Sequence, residues 1–264
     1  MRRHHHLMSF VCVGVGLTLA ACGKGDAPPA SQTDASAANP AGPVGTASIA
    51  GLVRLVGTAP VNPPIDMSAE PQCRGVYHSS PHQLRVVVNP NHTLANVFVY
   101  VKQGLPPGAS YQTPVEPVTL DQRGCQYHPR VLGIMVEQPL AIRSADPVLH
   151  QIKAVGTAGE LFHFDQPAAG RKTAGTFSHP HVMVRLSCAV HSWMRAYVGV
   201  LPHPFFATTD DGGKYTIDRL PRGTYTIESW HEHYGTRRAT VTVADSATRL
   251  DLRYHAQSGD AADF

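Results

Sequence analysis

The sequence predicts an all-β protein, and three observations carry that prediction. Charged residues are only 16% of the 264, while Gly and Pro number 23 and 22, the composition of short strands joined by many turns. Runs rich in β-branched residues recur between turn signals, and no amphipathic helical pattern of useful length interrupts them. With 42% apolar residues the chain is able to bury real cores, which excludes full disorder.

The first residues set the compartment. Arg2 and Arg3 precede an apolar run from Leu7 to Ala21 that is too short for a mature membrane helix, so residues 1–21 read as a signal peptide. The run ends in Leu19-Ala20-Ala21-Cys22, which resembles the bacterial lipobox. That resemblance implies a lipidated Cys22, hence an exported protein held to a membrane facing the periplasm, the outer membrane before the inner because Gly23 follows. The other reading is an ordinary signal peptide with a cysteine near its cleavage site. Residues 22–47 then form a flexible tether rich in Ala, Pro, Gly, Ser and Asp. Loss of the leader removes two arginines, and His4 to His6 with them. The mature chain is nearly neutral, which argues against nucleic acid as a partner.

Strands are expected at Ser48–Val56, Leu84–Val88, Asn96–Val101, Val131–Val136, Val182–Leu186, Tyr197–Leu201, Lys214–Ile217, Thr224–Ser229 and Ala239–Val243. Near the C terminus, Asp210-Asp211-Gly212-Gly213 and Pro221-Arg222-Gly223 are turns between short strands. Thr209-Asp210 through Gly213, followed by Leu220-Pro221-Arg222-Gly223-Thr224-Tyr225, resembles the carboxypeptidase regulatory-like domains over residues 205–253. This implies a transthyretin-like sandwich for 202–255, followed by a tail, 256–264. The counterparts of its opening strands, Gly51-Leu52-Val53 and Leu94 to Val99, lie far upstream in segment 48–114. Two arrangements follow: a second sandwich inserted into this one, or consecutive modules. Pairing of the Gly51 strand with a strand beyond Leu201 separates them.

The chemistry concentrates in residues 115–201. Cys188-Ala189-Val190-His191-Ser192-Trp193-Met194 puts a thiolate, an imidazole and a thioether on one loop, and His150 stands at the end of an upstream run. Such a set suits copper in both oxidation states, whereas structural zinc sites draw on more Cys and His and do not need Met. Together with Val118-Thr119-Leu120, Tyr127-His128-Pro129 and Leu140-Ala141-Ile142, this layout resembles the cupredoxins, and the Cys-x-x-His-x-x-Met loop is similar to that of amicyanin. The resemblance implies a Greek-key sandwich holding one type 1 copper ion on His150, Cys188, His191 and Met194, with the edge of His191 exposed as the electron entrance. Two residues depart from the pattern: Gln151 where Asn, Ser or Thr usually follows the first His, and Ser192 where the amicyanin loop has Pro. Among the remaining cysteines, a Cys73–Cys125 disulfide would leave Cys188 free for metal, while a bridge to Cys188 would strand another thiol.

Other residues take blander readings. Trp193 is either part of an apolar face around His191 or a core anchor. Trp230-His231-Glu232-His233 lacks the spacing of a helical metal motif and reads as loop or surface, and His128, His163, His179, His181 and His203 read as solvated side chains. No nucleophile elbow, phosphate loop or paired carboxylates stand out, so the chain does not read as an enzyme. The functional expectation is a membrane-tethered electron carrier with a redox protein as partner. Its rivals are a copper-delivery protein and an interaction module with a structural metal site.

Overall fold

The computed structural model describes residues 42–244 and 246–256, and nearly all of its regular structure is strand. The signal peptide, Cys22, most of the tether and the tail after residue 256 lie outside the described residues. In chain order the elements are β1 (Ala47–Val56), the one-turn helix α1 (Pro71–Arg74), β2 (Phe98–Gln103), β3 (Val118–Arg123), β4 (Gln126–His128), β5 (Val131–Met135), β6 (Leu140–Ser144), β7 (His150–Gly156), β8 (Gly159–Gln166) and β9 (Gly170–Gly175). After these come β10 (His181–Cys188), β11 (Arg195–Leu201), β12 (Phe206–Thr208), β13 (Lys214–Leu220), β14 (Gly223–His231), β15 (Gly235–Val243), β16 (Ala247–Arg249) and β17 (Leu252–His255). No helix among the described residues is long and apolar enough to cross a membrane.

Four sheets form two sandwiches. One pairs the sheet β4-β3-β6-β9 with the sheet β5-β11-β10-β7-β8, and its strands all fall within residues 118–201. Leu120, Ile142, Ile152, Leu186 and Val198 fill the space between them. The other pairs β13-β1-β16, with β17 also on β1, against β12-β2-β14-β15. Its core draws on both ends of the chain: Ile49, Val53, Val99 and Val101 from before the first sandwich, Tyr215, Tyr225 and Ile227 from after it. Within it β1 runs antiparallel to β13, Gly51 opposite Tyr215, and parallel to β16 and β17.

The two-residue period of a strand explains how the sandwiches meet. On β11, Ala196, Val198 and Val200 enter the first core, while Tyr197 and Leu201 point to the opposite face. On β2, Val99 and Val101 enter the second core, while Phe98 and Tyr100 point back toward β11. A third apolar layer results, with Phe98, Tyr100, Val131 and Leu201 buried in it. Gly133 and Gly199 leave room for the Phe98 ring, which a Cβ at either position would strike. Arg130 and Glu232 clamp this seam, with Arg130 Nη2 donating to Glu232 Oε2 over 2.8 Å and both side chains largely buried.

Two expectations about strands are corrected. Leu84–Val88 is not a strand; Val88 makes only an isolated bridge to Leu94. The Asn62 side chain takes the place of a neighbouring strand there, accepting from the Val86 amide at 3.1 Å and donating to its carbonyl at 2.7 Å. Conversely, β8 and β9 form where no strand was read. The first half of β8 is exposed, so burial supplied little alternation to detect.

Candidate metal centre

Local structure brings three ligand atoms together. Cys188 ends β10 and His150 begins β7; these strands pair antiparallel with Cys188 opposite Ile152, so both side chains arrive at the same end of the sandwich. The chain then turns through Ala189 to Met194, where the Met194 amide donates to the His191 carbonyl at 2.9 Å, and β11 begins at Arg195. His191 sits inside that turn. Its Nδ1 is 3.2 Å from His150 Nδ1 and 3.5 Å from Cys188 Sγ, and Cys188 Sγ is 3.9 Å from His150 Nδ1. A circle through three points so spaced has a radius of about 2 Å, the length of a metal–imidazole bond. The donor types and their spacing therefore fit one metal ion among His150, Cys188 and His191, which form one of three such groups among the described residues. Met194 is buried in the same core as Cys188.

The surroundings favour the ionised, metal-ready thiol. Burial works against a charge on Cys188, but hydrogen bonds from His150, His191 and the amides of His191 and Gln151 outweigh it, and its pKa falls to about 5. Burial likewise opposes a charge on His150, yet hydrogen bonds to Asp146 and Cys188 raise it to about 9. Asp146 is the residue that sequence reasoning missed. It is buried, with Oδ2 3.0 Å from His150 Nε2, so that this nitrogen donates and Nδ1 is turned to the centre. It also accepts from the Gly124 amide at 2.6 Å and the Cys125 amide at 3.0 Å. A carboxylate four residues before His150 was a usable signal, but only folding shows that the chain bends back between them.

His191 overturns an expectation. Its ring is fully buried rather than exposed at one edge. Cys73 and Cys125 form a disulfide, and Cys73 Sγ lies 3.6 Å from His191 Nε2, with Glu70 Oε2 at 3.9 Å. The cover comes from the segment around α1, whose Ile65, Met67 and Cys73 pack into the first sandwich's core. Trp193 packs against the core as an anchor rather than framing an exposed edge of His191: its ring lies 5.3 Å from that of His191, and its Nε1 donates to the Cys125 carbonyl at 2.9 Å. The Gln151 side chain reaches outward to Asp165 at 3.1 Å.

The other histidines divide. His231 is not a surface residue: at the end of β14 it is buried beside Tyr234 and Tyr254, and burial, then His233 and Arg130, lower its pKa to about 3. His203 is also buried rather than solvated, which lowers it to about 4. His163 and His179 are exposed, and His128 and His181 are half-buried. None of these joins the centre.

Solved structures similar to this one include copper proteins. A mutant of amicyanin in its oxidised form matches at 17% identity over 32% of this chain and 81% of its own, with a TM-score of 0.29. A purple cupredoxin from Nitrosopumilus maritimus matches at 18% identity over 31% of this chain and 97% of its own, with a TM-score of 0.28. A copper-containing nitrite reductase from Thermus scotoductus matches at 24% identity over 37% of this chain and 25% of its own, with a TM-score of 0.28. No protein-family model and no curated protein matches the chain.

Proposed function

We propose that the chain is a copper-binding electron-transfer protein, exported and tethered by a lipid on Cys22, whose centre holds one type 1 ion. The observation that carries this reading is the buried triangle of Cys188 Sγ, His150 Nδ1 and His191 Nδ1, with sides of 3.2 to 3.9 Å. His150, Cys188 and His191 would hold the metal, and the Met194 thioether would be a weaker fourth donor. Bound copper supplies one-electron chemistry with little rearrangement, because thiolate, imidazole and thioether suit both its oxidation states. Asp146 keeps His150 in the tautomer that presents Nδ1, and the cap around Cys73 keeps water from His191. The exposed Leu149 and Val190, chain neighbours of the two imidazole ligands, offer a redox partner an apolar landing face.

In this reading the metal sandwich is an insertion into a carboxypeptidase regulatory-like sandwich, supported by the pairing of β1 with β13, and the outer sandwich is a scaffold. The buried edge of His191 favours retention of the metal over its delivery. Protein loaded with Cu(II) is expected to show intense visible Cys-to-copper absorption that Cys188→Ser abolishes, and to keep its copper through dialysis after reduction. Colourless copper-loaded protein would overturn the proposal, and loss of metal on reduction would turn it toward delivery.

A further inference from the structure

Three groups of clustered ligand atoms occur among the described residues, and the proposed centre uses one of them. A second, Cys125 with Asp146 and His150, is held by hydrogen bonds, since Asp146 accepts from the Cys125 amide and from His150 Nε2. The third joins Cys73, Cys125 and His191, whose ligand atoms all lie within 4.8 Å of one another. His191 turns Nδ1 to the proposed centre and Nε2 to this group, where Cys73 Sγ stands 3.6 Å away. A thiolate and an imidazole bound tetrahedrally to one zinc ion stand about 3.5 Å apart, from bonds of about 2.3 and 2.0 Å. Glu70 Oε2, 3.9 Å from the same nitrogen, is a fourth donor at hand. Only the bond between the two sulfurs withholds them from a metal.

We infer that reduction of the Cys73–Cys125 disulfide creates a second metal site, in which both thiolates, His191 Nε2 and the Glu70 carboxylate hold a zinc ion. The reductant is a dithiol: it gives two electrons and two protons and closes to its own disulfide, leaving Cys73 and Cys125 as thiols. The ion displaces both thiol protons and takes the lone pair of His191 Nε2, so that four protein donors close its shell. The sulfurs part to about 3.8 Å to receive it. Cys125 is anchored through its amide to Asp146, so Cys73 moves; its helix α1 is one turn long, with Gln72, Gly75 and Val76 exposed around it. The ion then replaces the covalent clasp, and His191 stays covered when the pair is reduced. This site does not rest on the copper reading, because it uses the His191 nitrogen that the proposed centre does not.

The purified chain carrying Cys188→Ser, which removes the thiolate of the proposed centre, is compared with its disulfide intact and after reduction by dithiothreitol that is then removed under argon. Each form is titrated with isotopically enriched Cd(II), a spectroscopic stand-in for zinc, and read by cadmium–proton correlation NMR. The reduced chain is expected to bind one ion about a hundredfold or more tightly than the oxidised chain. Its resonance should couple to the β protons of both Cys73 and Cys125 and to the His191 ring. Cys73 and His191 are 118 residues apart, so joint coupling arises only in the folded site. Cys73→Ser should abolish it. No gain on reduction, or an ion coupled to the cysteines without His191, would overturn the proposal. The same gain of one ion in the unaltered chain decides the matter if Cys188→Ser does not fold. A chain that stays colourless with copper yet gains cadmium here loses the copper reading and keeps this one.

Discussion

The sulfur of Cys73 lies 3.6 Å from Nε2 of His191, so a disulfide-held segment covers the imidazole edge that the sequence resemblance placed in solvent. The same bridge reaches the other imidazole, since the Cys125 amide donates to Asp146, which holds His150. Cover and centre are thus built as one unit.

Removing the bridge with Cys73→Ser and Cys125→Ser is expected to cost about 4 kcal/mol of stability, from the chain entropy of a loop closed over a separation of 52 residues. The cap would loosen at the same time. Denaturant titration measures the first effect. Faster carbethoxylation of His191 by diethyl pyrocarbonate in the metal-free variant, located by mass spectrometry, measures the second; an unchanged rate would show that the cap stays closed without the bridge.

Asp146→Asn removes the charge that orients and charges His150. Metal affinity is expected to drop about 10- to 100-fold, as for other partners of ligating histidines. The His150 pKa should also fall from about 9, because the amide no longer stabilises an imidazolium. Competitive copper titration and NMR titration of the His150 ring check the two halves.

The pair Cys188 and His150 sets a proton count. With the thiol at about 5 and the imidazole at about 9, the metal-free pair at pH 7 is thiolate and imidazolium, so an incoming ion displaces one proton from this pair, and it comes from His150. Affinity should therefore rise with pH up to about 9 and fall more steeply below about 5, where the thiolate also takes a proton. Calorimetry in buffers of different ionisation enthalpy counts the protons released by the pair against the same titration of His150→Ala.

Gly199→Ala puts a methyl group against the Phe98 ring at the seam between the sandwiches. The expected cost is about 1 to 3 kcal/mol, the usual range for overpacking, with folding retained. Phe98→Leu in the same chain should recover part of it. Thermal unfolding of the two variants reads both changes.

How much was legible in the sequence followed from how local each signal is. Turn residues such as Asp210 to Gly213 and the strands flanking them need only neighbours in the chain, and the all-β class came from them. The loop from Cys188 to Met194 is also local, so its candidate ligands could be recognised together. His150 could be tied to it only through resemblance, because its 38-residue separation from Cys188 is closed by strand pairing.

By itself, the sequence determined the strand class and the closeness of Cys188, His191 and Met194 on one loop, since both depend on residue type and short spacing. Tertiary structure decided what surrounds these side chains and His150. Asp146 reaches His150 only because the chain between them turns back, Gln151 faces outward because its strand alternates, and His191 is closed because a segment more than a hundred residues upstream folds over it. Burial and hydrogen-bond partners are properties of residues distant in the chain and adjacent in space, and no pattern within a single run of residues encodes them.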